Sequence, residues 1–182
     1  MSGASGCSHG PACQAEAIQR RMVGRSLVRP FKGRPPRLAQ VYSSNGNPIY
    51  FVTFNTFKRE QILANPDVHD AFLAFARRGI VRGAVIGGYV IMPDHVHVFV
   101  RLEPSVRLGG YFGSMKLMLS KRLKSIGDLG PHWQEGFFDH VMRNGESCSE
   151  KWNYVRMNPV RAGLVSDWQE WPYRGELEHV EW

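Results

Sequence analysis

The sequence predicts an α+β domain with an antiparallel sheet, because strand-like and helix-like segments follow one another in the order β-α-β-β-α-β-α after residue 45. The strand-like segments are rich in β-branched and aromatic residues. The helix-like segments carry apolar residues at helical spacing and begin at residues that suit helix caps. A hydrophobic content of 43% in 182 residues supplies enough apolar side chains for a core.

The first strand and the first helix are marked by composition and capping. Residues 49–57 (IYFVTFNTF) are mostly β-branched or aromatic, which predicts a buried strand. Asn65, Pro66 and Asp67 form a helix start, because Asn is a good N-cap, Pro fits the first helical position and an acid suits the first turn. Apolar residues at helical spacing follow, and Gly79 can end this helix.

A predicted hairpin comes next. Residues 84–91 predict the second strand, in which Gly87 and Gly88 allow a bulge or a close approach of another part of the chain. Met-Pro-Asp at residues 92–94 predicts a turn, and the alternating segment 95–100 (HVHVFV) predicts the partner strand. We therefore expect these two strands to pair antiparallel.

The second half begins with a longer helix. Ser105 is the predicted cap, and an apolar stripe carries the helix to about Ser125. Residues 133–142 then predict a further strand or extended segment. These elements complete the β-α-β-β-α-β part of the order.

The last helix is predicted by its start and its end. Ser147 and Glu150 match a capping box, so a helix is expected over residues 148–157, and Pro159 stops or kinks it. The aromatic segment 167–173 is expected to pack back on the body. The complete order is that of a ferredoxin-like split βαβ fold, with helices on one face of the antiparallel sheet and an extra C-terminal helix.

The charge of the chain is unevenly distributed. Residues 1–40 hold seven basic residues and one acid, whereas residues 41–182 hold 16 basic and 15 acidic residues. The first segment is also rich in Gly, Ser and Pro, so we predict a flexible basic arm over residues 1–45 and a folded domain over residues 46–182. The arm is a contact for nucleic-acid phosphates, through Arg20, Arg21 and Arg25 among others, or it is a solvated extension, or it results from a start codon assigned too early.

Several classes of protein are excluded by composition. No apolar run approaches 18 residues, so no membrane span is expected, and the start has no secretory pattern. Three cysteines are too few for a disulfide scaffold, which favours a reducing cytoplasm. Cys7, His9 and Cys13 fit no usual zinc spacing and lack a fourth ligand, so they are interpreted as incidental.

Two histidines on the third strand are the first candidates for chemistry. His95 and His97 are two residues apart on a strand, so their imidazoles project from the same face. Neutral imidazoles side by side are natural ligands for a divalent transition metal. A pair of half-buried structural histidines is the alternative. His140 is a further candidate ligand or base, although a structural role fits it better.

A tyrosine on the last helix is the second candidate. Tyr154 and Asn158 are four residues apart and share a helix face, with Lys151 one turn earlier. A phenol with an ordinary pKa near 10 is a poor nucleophile unless a cation or metal assists it. The amide oxygen of Asn158 is a fair ligand for magnesium or manganese. Tyr154 as a packing residue and Asn158 as a helix-end residue before proline remain the alternatives.

These motifs resemble a known family. Met-Pro-Asp-His-Val-His at residues 92–97, followed by a basic helix, resembles the HUH (His-hydrophobe-His) signature. His-Val-Met-Arg-Asn at residues 140–144 and Tyr-Val-Arg-Met-Asn-Pro-Val-Arg-Ala-Gly-Leu-Val at residues 154–165 are similar to single-tyrosine transposases, and most of all to the REP-associated tyrosine transposases. The resemblance extends from about Ile49 to Tyr173, and the order of the motifs is more specific than any one of them.

The resemblance implies a fold and a chemistry. It implies a ferredoxin-like domain that cuts and rejoins single-stranded DNA with a divalent metal, Mg²⁺ or Mn²⁺. By the resemblance, Tyr154 is the nucleophile that forms a 5′-phosphotyrosine link and frees a 3′-hydroxyl, while His95 and His97 are metal ligands. Asn158 matches the position that can supply a third ligand, which is Gln in many mobile relatives.

The implied partner is single-stranded or hairpin DNA from palindromic repeats. Lysines on the two later helices are the candidate phosphate contacts of the domain: Lys116, Lys121, Lys124 and Lys151. The protein is expected to act in the cytoplasm, at the nucleoid, as a monomer or a homodimer. The chain has no Gly-x4-Gly-Lys-Ser/Thr loop, which agrees with a covalent link that conserves phosphodiester energy and needs no nucleotide cofactor.

Three other functions are alternatives to this one. A histidine-triad hydrolase needs a third alternating His, and position 99 is Phe, which excludes it. A split βαβ domain that stacks bases on sheet aromatics such as Phe51 and Phe99 is a non-enzymatic alternative. A catalytically inactive domain of the same fold that only binds single-stranded nucleic acid is the third.

Overall fold

The computed structural model describes Met1, residues 47–142 and residues 145–179. The predicted arm after Met1, with Arg20, Arg21 and Arg25, lies outside the described residues, as do Cys7, His9 and Cys13. No helix in the described ranges is long and apolar enough to cross a membrane.

The described chain forms one sheet and its covering helices. The strands are β1 (Ile49–Asn55), β2 (Ala84–Met92), β3 (His95–Leu102), β4 (Phe138–Met142) and β5 (Arg174–Glu176). The helices are α1 (Pro66–Ile80), α2 (Leu108–Ser125), α3 (Gly145–Arg156) and the short α4 (Asn158–Arg161), and 3-10 turns cover Phe57–Arg59 and Trp168–Glu170. The sheet order is β4-β1-β3-β2-β5, and every neighbouring pair is antiparallel. The predicted α+β class and ferredoxin-like strand order are confirmed.

Two local predictions of the first half are confirmed at the level of single residues. The side chain of Asn65 accepts a hydrogen bond from the backbone N–H of Val68 at 2.9 Å, so it caps α1 as expected. The register of β2 against β3 shifts between Ile86 and Tyr89, which is the predicted irregularity at the glycine pair. A Cβ on Gly88 would lie 3.0 Å from the ring of Trp152, so this glycine lets α3 approach the sheet closely.

Two predicted helix starts are wrong. Ser105 lies in a turn closed by a hydrogen bond from Val106 N–H to Glu103 C=O at 2.9 Å, and α2 begins at Leu108 without a side-chain cap. Helix α3 already begins at Gly145, so Ser147 lies within it and is not its N-cap. In both cases a Ser suited to capping lies within a few residues of the helix start without marking it.

The extended segments also differ from expectation. Only residues 138–142 of the predicted segment 133–142 form a strand, while Trp133 makes an isolated bridge to Thr56. Strand β5 is unpredicted, because its three residues, Arg-Gly-Glu, have no β-branched or aromatic pattern and form a strand only by pairing with β2.

The sheet has a core on each face. Helices α1 and α2 cover one face, over a large apolar cluster that includes Val52, Phe54, Phe72, Val98 and Phe112. Helix α3 covers part of the other face through a smaller cluster that includes Phe51, Phe99, Cys148, Trp152 and Val155. Trp171 is buried in this second cluster and donates from Nε1 to the carbonyl of Ile91 at 3.0 Å, so the C-terminal segment packs back as predicted.

Candidate functional site

The two strand histidines project from the α3 side of the sheet. Thr53 is the cross-strand partner of His97, and Asn55 is the partner of His95, so β1 supplies polar neighbours to both rings. The two imidazole rings meet edge to face, with their Nε2 atoms 3.1 Å apart. The alternation of β3 therefore brings two potential ligand atoms to one point, as the sequence predicts.

The Nδ1 atom of each ring is hydrogen-bonded to another side chain of the protein. His95 Nδ1 lies 2.6 Å from Asp94 Oδ1, and because an ionised carboxylate only accepts, we assign the proton to Nδ1. His97 Nδ1 lies 2.7 Å from Thr53 Oγ1, a contact that suits either tautomer because a hydroxyl can donate or accept. Both Nε2 atoms can thus offer lone pairs toward each other.

Burial keeps both rings in the neutral form. Burial lowers the pKa of His97 to about 3, and nearby ionisable groups act in the same direction: His95, Arg59, Arg161 and Lys151. Burial also lowers the pKa of His95, although the hydrogen bond and charge of Asp94 oppose this effect. Neutral imidazole is the form that binds metal ions.

The donor set fits a divalent cation. Two lone pairs 3.1 Å apart repel each other unless a proton or cation lies between them, and ligand distances of about 2.0–2.2 Å give a nitrogen separation of this size. The carboxylate of Asp94 behind His95 is the usual partner of a ligating histidine. Within the described ranges no group of three or more His, Cys, Asp or Glu side chains could hold a metal, so further ligands would be amide, water or substrate oxygens.

Tyr154 lies on the exposed side of α3, near its end. Its side chain is 62% exposed, so it can be reached from solvent. The guanidinium of Arg161 lies 3.9 Å from the centre of the Tyr154 ring and donates to the Tyr154 carbonyl at 2.7 Å. Arg161 also donates to the amide oxygen of Asn158. The oxygen predicted as a third metal ligand is therefore held by an arginine of the same segment, and that role of Asn158 stays a prediction.

The end of α3 lies close to the histidine pair. Lys151 Nζ lies 5.3 Å from the centre of the Phe51 ring, and this ring stacks on His97 with centroids 5.6 Å apart. The charges of Lys151 and Arg161 are near enough to lower the pKa of His97. The fold thus brings the Tyr154 helix to the same part of the sheet as the histidines, although the two motifs are more than 50 residues apart in sequence.

A strained turn adds a third cation to the site. Lys58 and Arg59 have positive φ angles of 50° and 62°, which are uncommon for residues other than glycine. The turn is held by buried Thr56, whose hydroxyl donates to the carbonyls of Glu60 at 2.8 Å and Asp94 at 3.0 Å. Arg59 Nε then lies 2.7 Å from Asp94 Oδ2, and its Nη2 atom lies 3.3 Å from His95 Nδ1.

Arg59 and Arg161 are site residues that sequence reasoning missed. Arg161 could have been found, because it is a basic residue three positions after Asn158 and seven after Tyr154. Arg59 carries no such signal, since its contacts with Asp94 and His95 join residues 35 and 36 positions apart in the chain. Together with Lys151 they make the site cationic, although residues 41–182 as a whole are nearly neutral.

The remaining predicted site residues differ from one another in their exposure and contacts. Lys116 is half-buried and donates to the carbonyls of Gln134 at 3.1 Å and Gly136 at 2.5 Å, and burial lowers its pKa. Lys121 and Lys124 are exposed near the end of α2, and their contact with DNA stays a prediction. His140 is the cross-strand partner of Phe51 on β4, on the same face as the histidine pair.

The alternative that bases stack on sheet aromatics is wrong for the two residues it named. Phe51 is 5% exposed and Phe99 is fully buried, because α3 covers both. Trp152 of α3 lies edge-on to Phe99, with centroids 6.0 Å apart. Neither ring can receive a base without the removal of this helix.

Comparison with known proteins agrees with the motifs. No family model matches the chain. The chain is 27% identical over 88 residues to the REP-associated tyrosine transposase of Escherichia coli K12, a match that covers 48% of this chain and 52% of that protein. It is 24% identical over 94 residues to a Haemophilus influenzae protein assigned to the same group, covering 46% of this chain and 53% of that one. The chain spans about half the length of the curated relatives it matches.

A solved structure shares the fold. It is a REP-associated tyrosine transposase bound to a REP hairpin, and it matches this chain with a TM-score of 0.57 and 22% identity, over 75% of this chain and 82% of that one. At this identity the match establishes the ferredoxin-like fold with its additional helix. In sequence the chain is similar to REP-associated tyrosine transposases, as its His-Val-His and Tyr-x3-Asn-Pro motifs predict, and it shares the fold of one of them.

Proposed function

We propose that the chain is a metal-dependent single-strand DNA endonuclease and strand transferase that acts on hairpin or palindromic repeat DNA through a 5′-phosphotyrosine intermediate. The observation that carries this proposal is the convergence of the His95 and His97 Nε2 atoms beside the helix that bears an exposed Tyr154. The hairpin bound by the structural relative supports hairpin DNA as the substrate class.

His95 and His97 would hold the ion, Mg²⁺ or Mn²⁺, with Asn158 as the candidate third ligand. When bound, the ion would draw charge from a non-bridging phosphate oxygen and from the leaving oxygen. Asp94 and Thr53 keep the two rings oriented through their Nδ1 atoms. For Asn158 to bind the ion, its amide oxygen would have to exchange the guanidinium of Arg161 for the ion.

The covalent step belongs to Tyr154. Its Oη forms a bond to the phosphorus and its proton leaves to water, while the bond from phosphorus to the 3′ oxygen breaks and that oxygen takes up a proton as a free 3′-hydroxyl. Attack of a 3′-hydroxyl on the phosphotyrosine reverses the step and rejoins the strand. Arg161 keeps the ring of Tyr154 in place by stacking, and with Lys151 it offers positive charge to the phosphate.

The proposal is tested by looking for the covalent adduct. End-labelled single strands that carry a hairpin and single-stranded flanks are incubated with the protein and Mn²⁺ or Mg²⁺, then separated on a denaturing gel. We expect an adduct with the wild type and with Tyr173→Phe, which removes another phenol of the domain, and none with Tyr154→Phe. Adduct at full yield in Tyr154→Phe would show that Tyr154 is not the nucleophile.

The histidines are tested by separating cleavage from binding. We expect the double variant His95→Ala with His97→Ala to lose cleavage and Mn²⁺ binding while it still binds the hairpin, because the pair is a ligand site and not a DNA contact. Cleavage is followed on the same gel and hairpin binding by fluorescence anisotropy. An equal loss of cleavage and binding would mean that the histidines are structural. Hairpin binding without any adduct from the wild type would favour the binding-only alternative.

A further inference from the structure

A cleft of about 640 Å³ lies between the end of α1 and the start of α2, away from the candidate site. Helices α1 and α2 cover the sheet face opposite to the one that carries His97. The cleft also lies at the other end of the strands, because α1 ends just before β2 begins and α2 starts just after β3 ends. From Leu102 to His95, β3 extends roughly 20 Å at the usual rise per residue. The cleft is therefore separate from the histidine pair.

Three arginines line this cleft: Arg78 and Arg82 from the end of α1 and the turn after it, and Arg107 from the residue before α2. None of the three forms an ion pair with a carboxylate in the described part of the chain. No acidic residue is among the described residues that line the cleft. Three uncompensated cations around one concavity raise the local concentration of anions.

The walls of the cleft carry unused hydrogen-bond donors. Tyr111 lines the cleft and is 9% exposed, and its buried hydroxyl has no hydrogen-bond partner. This hydroxyl lies against Gly79, another lining residue. Helix α2 has 18 residues and no side-chain cap, so the first N–H groups of its N-terminus lack partners within the helix. The helix N-terminus suits a phosphate group, whereas the Tyr111 hydroxyl lies inside the wall of the cleft.

The first two turns of α2 also leave space for a ligand to approach the helix backbone closely. Gly109, Gly110 and Gly113 stand in its first two turns, and a Cβ on any of them would meet nothing within 4 Å. None of them has a positive φ. Glycine destabilises a helix relative to alanine, and no contact among the described residues requires the absence of a side chain at these three positions. Gly110 lines the cleft, where the absence of a side chain lets a ligand reach the helix backbone.

We propose that this cleft is a second nucleic-acid contact, which binds the phosphates of a segment of the DNA strand distant from the one presented to Tyr154. The arginines contact the phosphates, and the apolar wall formed by Phe75, Val106 and Met118 receives a sugar or a base. A strand of DNA would then be held at two places on opposite faces of the domain.

The first test removes the charge. Binding of a labelled hairpin oligonucleotide with single-stranded flanks is measured by fluorescence anisotropy at several salt concentrations, in a Tyr154→Phe background so that cleavage cannot contribute. The slope of log affinity against log salt is negative. The triple variant Arg78→Gln, Arg82→Gln and Arg107→Gln is expected to reduce its magnitude by about two, because each single-strand phosphate contact contributes about 0.7. Arg77→Gln is the matched control, since Arg77 is the exposed neighbour of Arg78 and does not line the cleft.

The second test blocks the cleft without a change in charge. Gly110→Trp fills it, and we expect binding to weaken about tenfold, whereas Gly113→Trp, on the same helix and outside the cleft, leaves binding unchanged. Thermal melting of each variant confirms that it folds. If the wild type binds DNA and both cleft variants bind with the same affinity and salt slope, the cleft is not a contact while the proposed function stands. If the wild type binds no DNA, both proposals are overturned.

Discussion

The two faces of the sheet are built from alternate residues of the same strands, yet they differ in what covers them. On the α1–α2 face, Val52, Phe54 and Val98 are fully buried under two long helices. On the α3 face, Phe51 and Phe99 are buried too, but Thr53 and His97 beside them carry polar groups that bond to each other. Helix α3 covers this face only in part, and the polar site lies beside the covered area.

The difference shows where stability and chemistry reside. The α1–α2 face is an apolar core whose contacts depend on volume and shape. The open end of the α3 face is a network in which Arg59, Asp94 and His95 depend on each other through charge and hydrogen bonds. Substitutions on the first face should therefore change unfolding, whereas substitutions at the open end should change binding and catalysis.

The largest effect on stability is expected on the α1–α2 face. Phe112→Ala should lower the free energy of unfolding by about 3–5 kcal/mol, because this fully buried ring packs against Phe54 and Phe137 and leaves a cavity. Tyr154→Phe in α3 should change the free energy of unfolding by no more than about 0.5 kcal/mol, since the ring is exposed and remains in place. Urea unfolding of the two variants measures both values. Similar losses in the two would contradict the division of roles between the faces.

A smaller effect, on metal binding alone, is expected at the strained turn. Arg59→Gln removes the cation that pairs with Asp94 and contacts His95 Nδ1, so we expect Mn²⁺ affinity to fall about 10- to 100-fold, as for other groups that orient a ligating histidine. Isothermal titration with Mn²⁺ measures the change. Lys58→Gln removes a charge from the same turn without a carboxylate contact and should bind Mn²⁺ as the wild type does. Equal weakening in both variants would point to a distorted turn instead of orientation by Arg59, because the loss of a positive charge by itself favours the binding of a cation.

The smallest effect compares two glycines, one on each side of the sheet. Gly113→Ala in α2 should stabilise the protein by about 0.5–1 kcal/mol, because a methyl group there meets no other atom and alanine favours the helix. Gly88→Ala in β2 should destabilise it by about 1 kcal/mol or more, because the new Cβ would lie 3.0 Å from the ring of Trp152 and force α3 outward. Thermal and urea unfolding give the two signs, and a gain in stability for Gly88→Ala would show that α3 is not closely packed on the sheet.

Much of the fold was predictable because it depends on local patterns. The β-branched composition of β1, the Asn-Pro-Asp start of α1 and the turn before β3 are all read within a few residues. The start of α2, the short β4 and the unpredicted β5 were not, because turns and long-range pairing decide them. Residues 174–176 form a strand only because the edge of β2 is available to them.

The sequence by itself determined that His95 and His97 share a face, through the two-residue period of a strand. The four-residue spacing of Tyr154 and Asn158 predicts a shared helix face, but α3 ends at Arg156 and Asn158 begins α4. Only the tertiary structure decided what those faces meet. It brought the two Nε2 atoms within 3.1 Å of each other and placed Arg59 against both Asp94 and His95. It also placed Arg78 in a cleft and its neighbour Arg77 outside it. Side-chain periodicity is a property of the local backbone, whereas the charges and contacts around a site come from segments far apart in the chain.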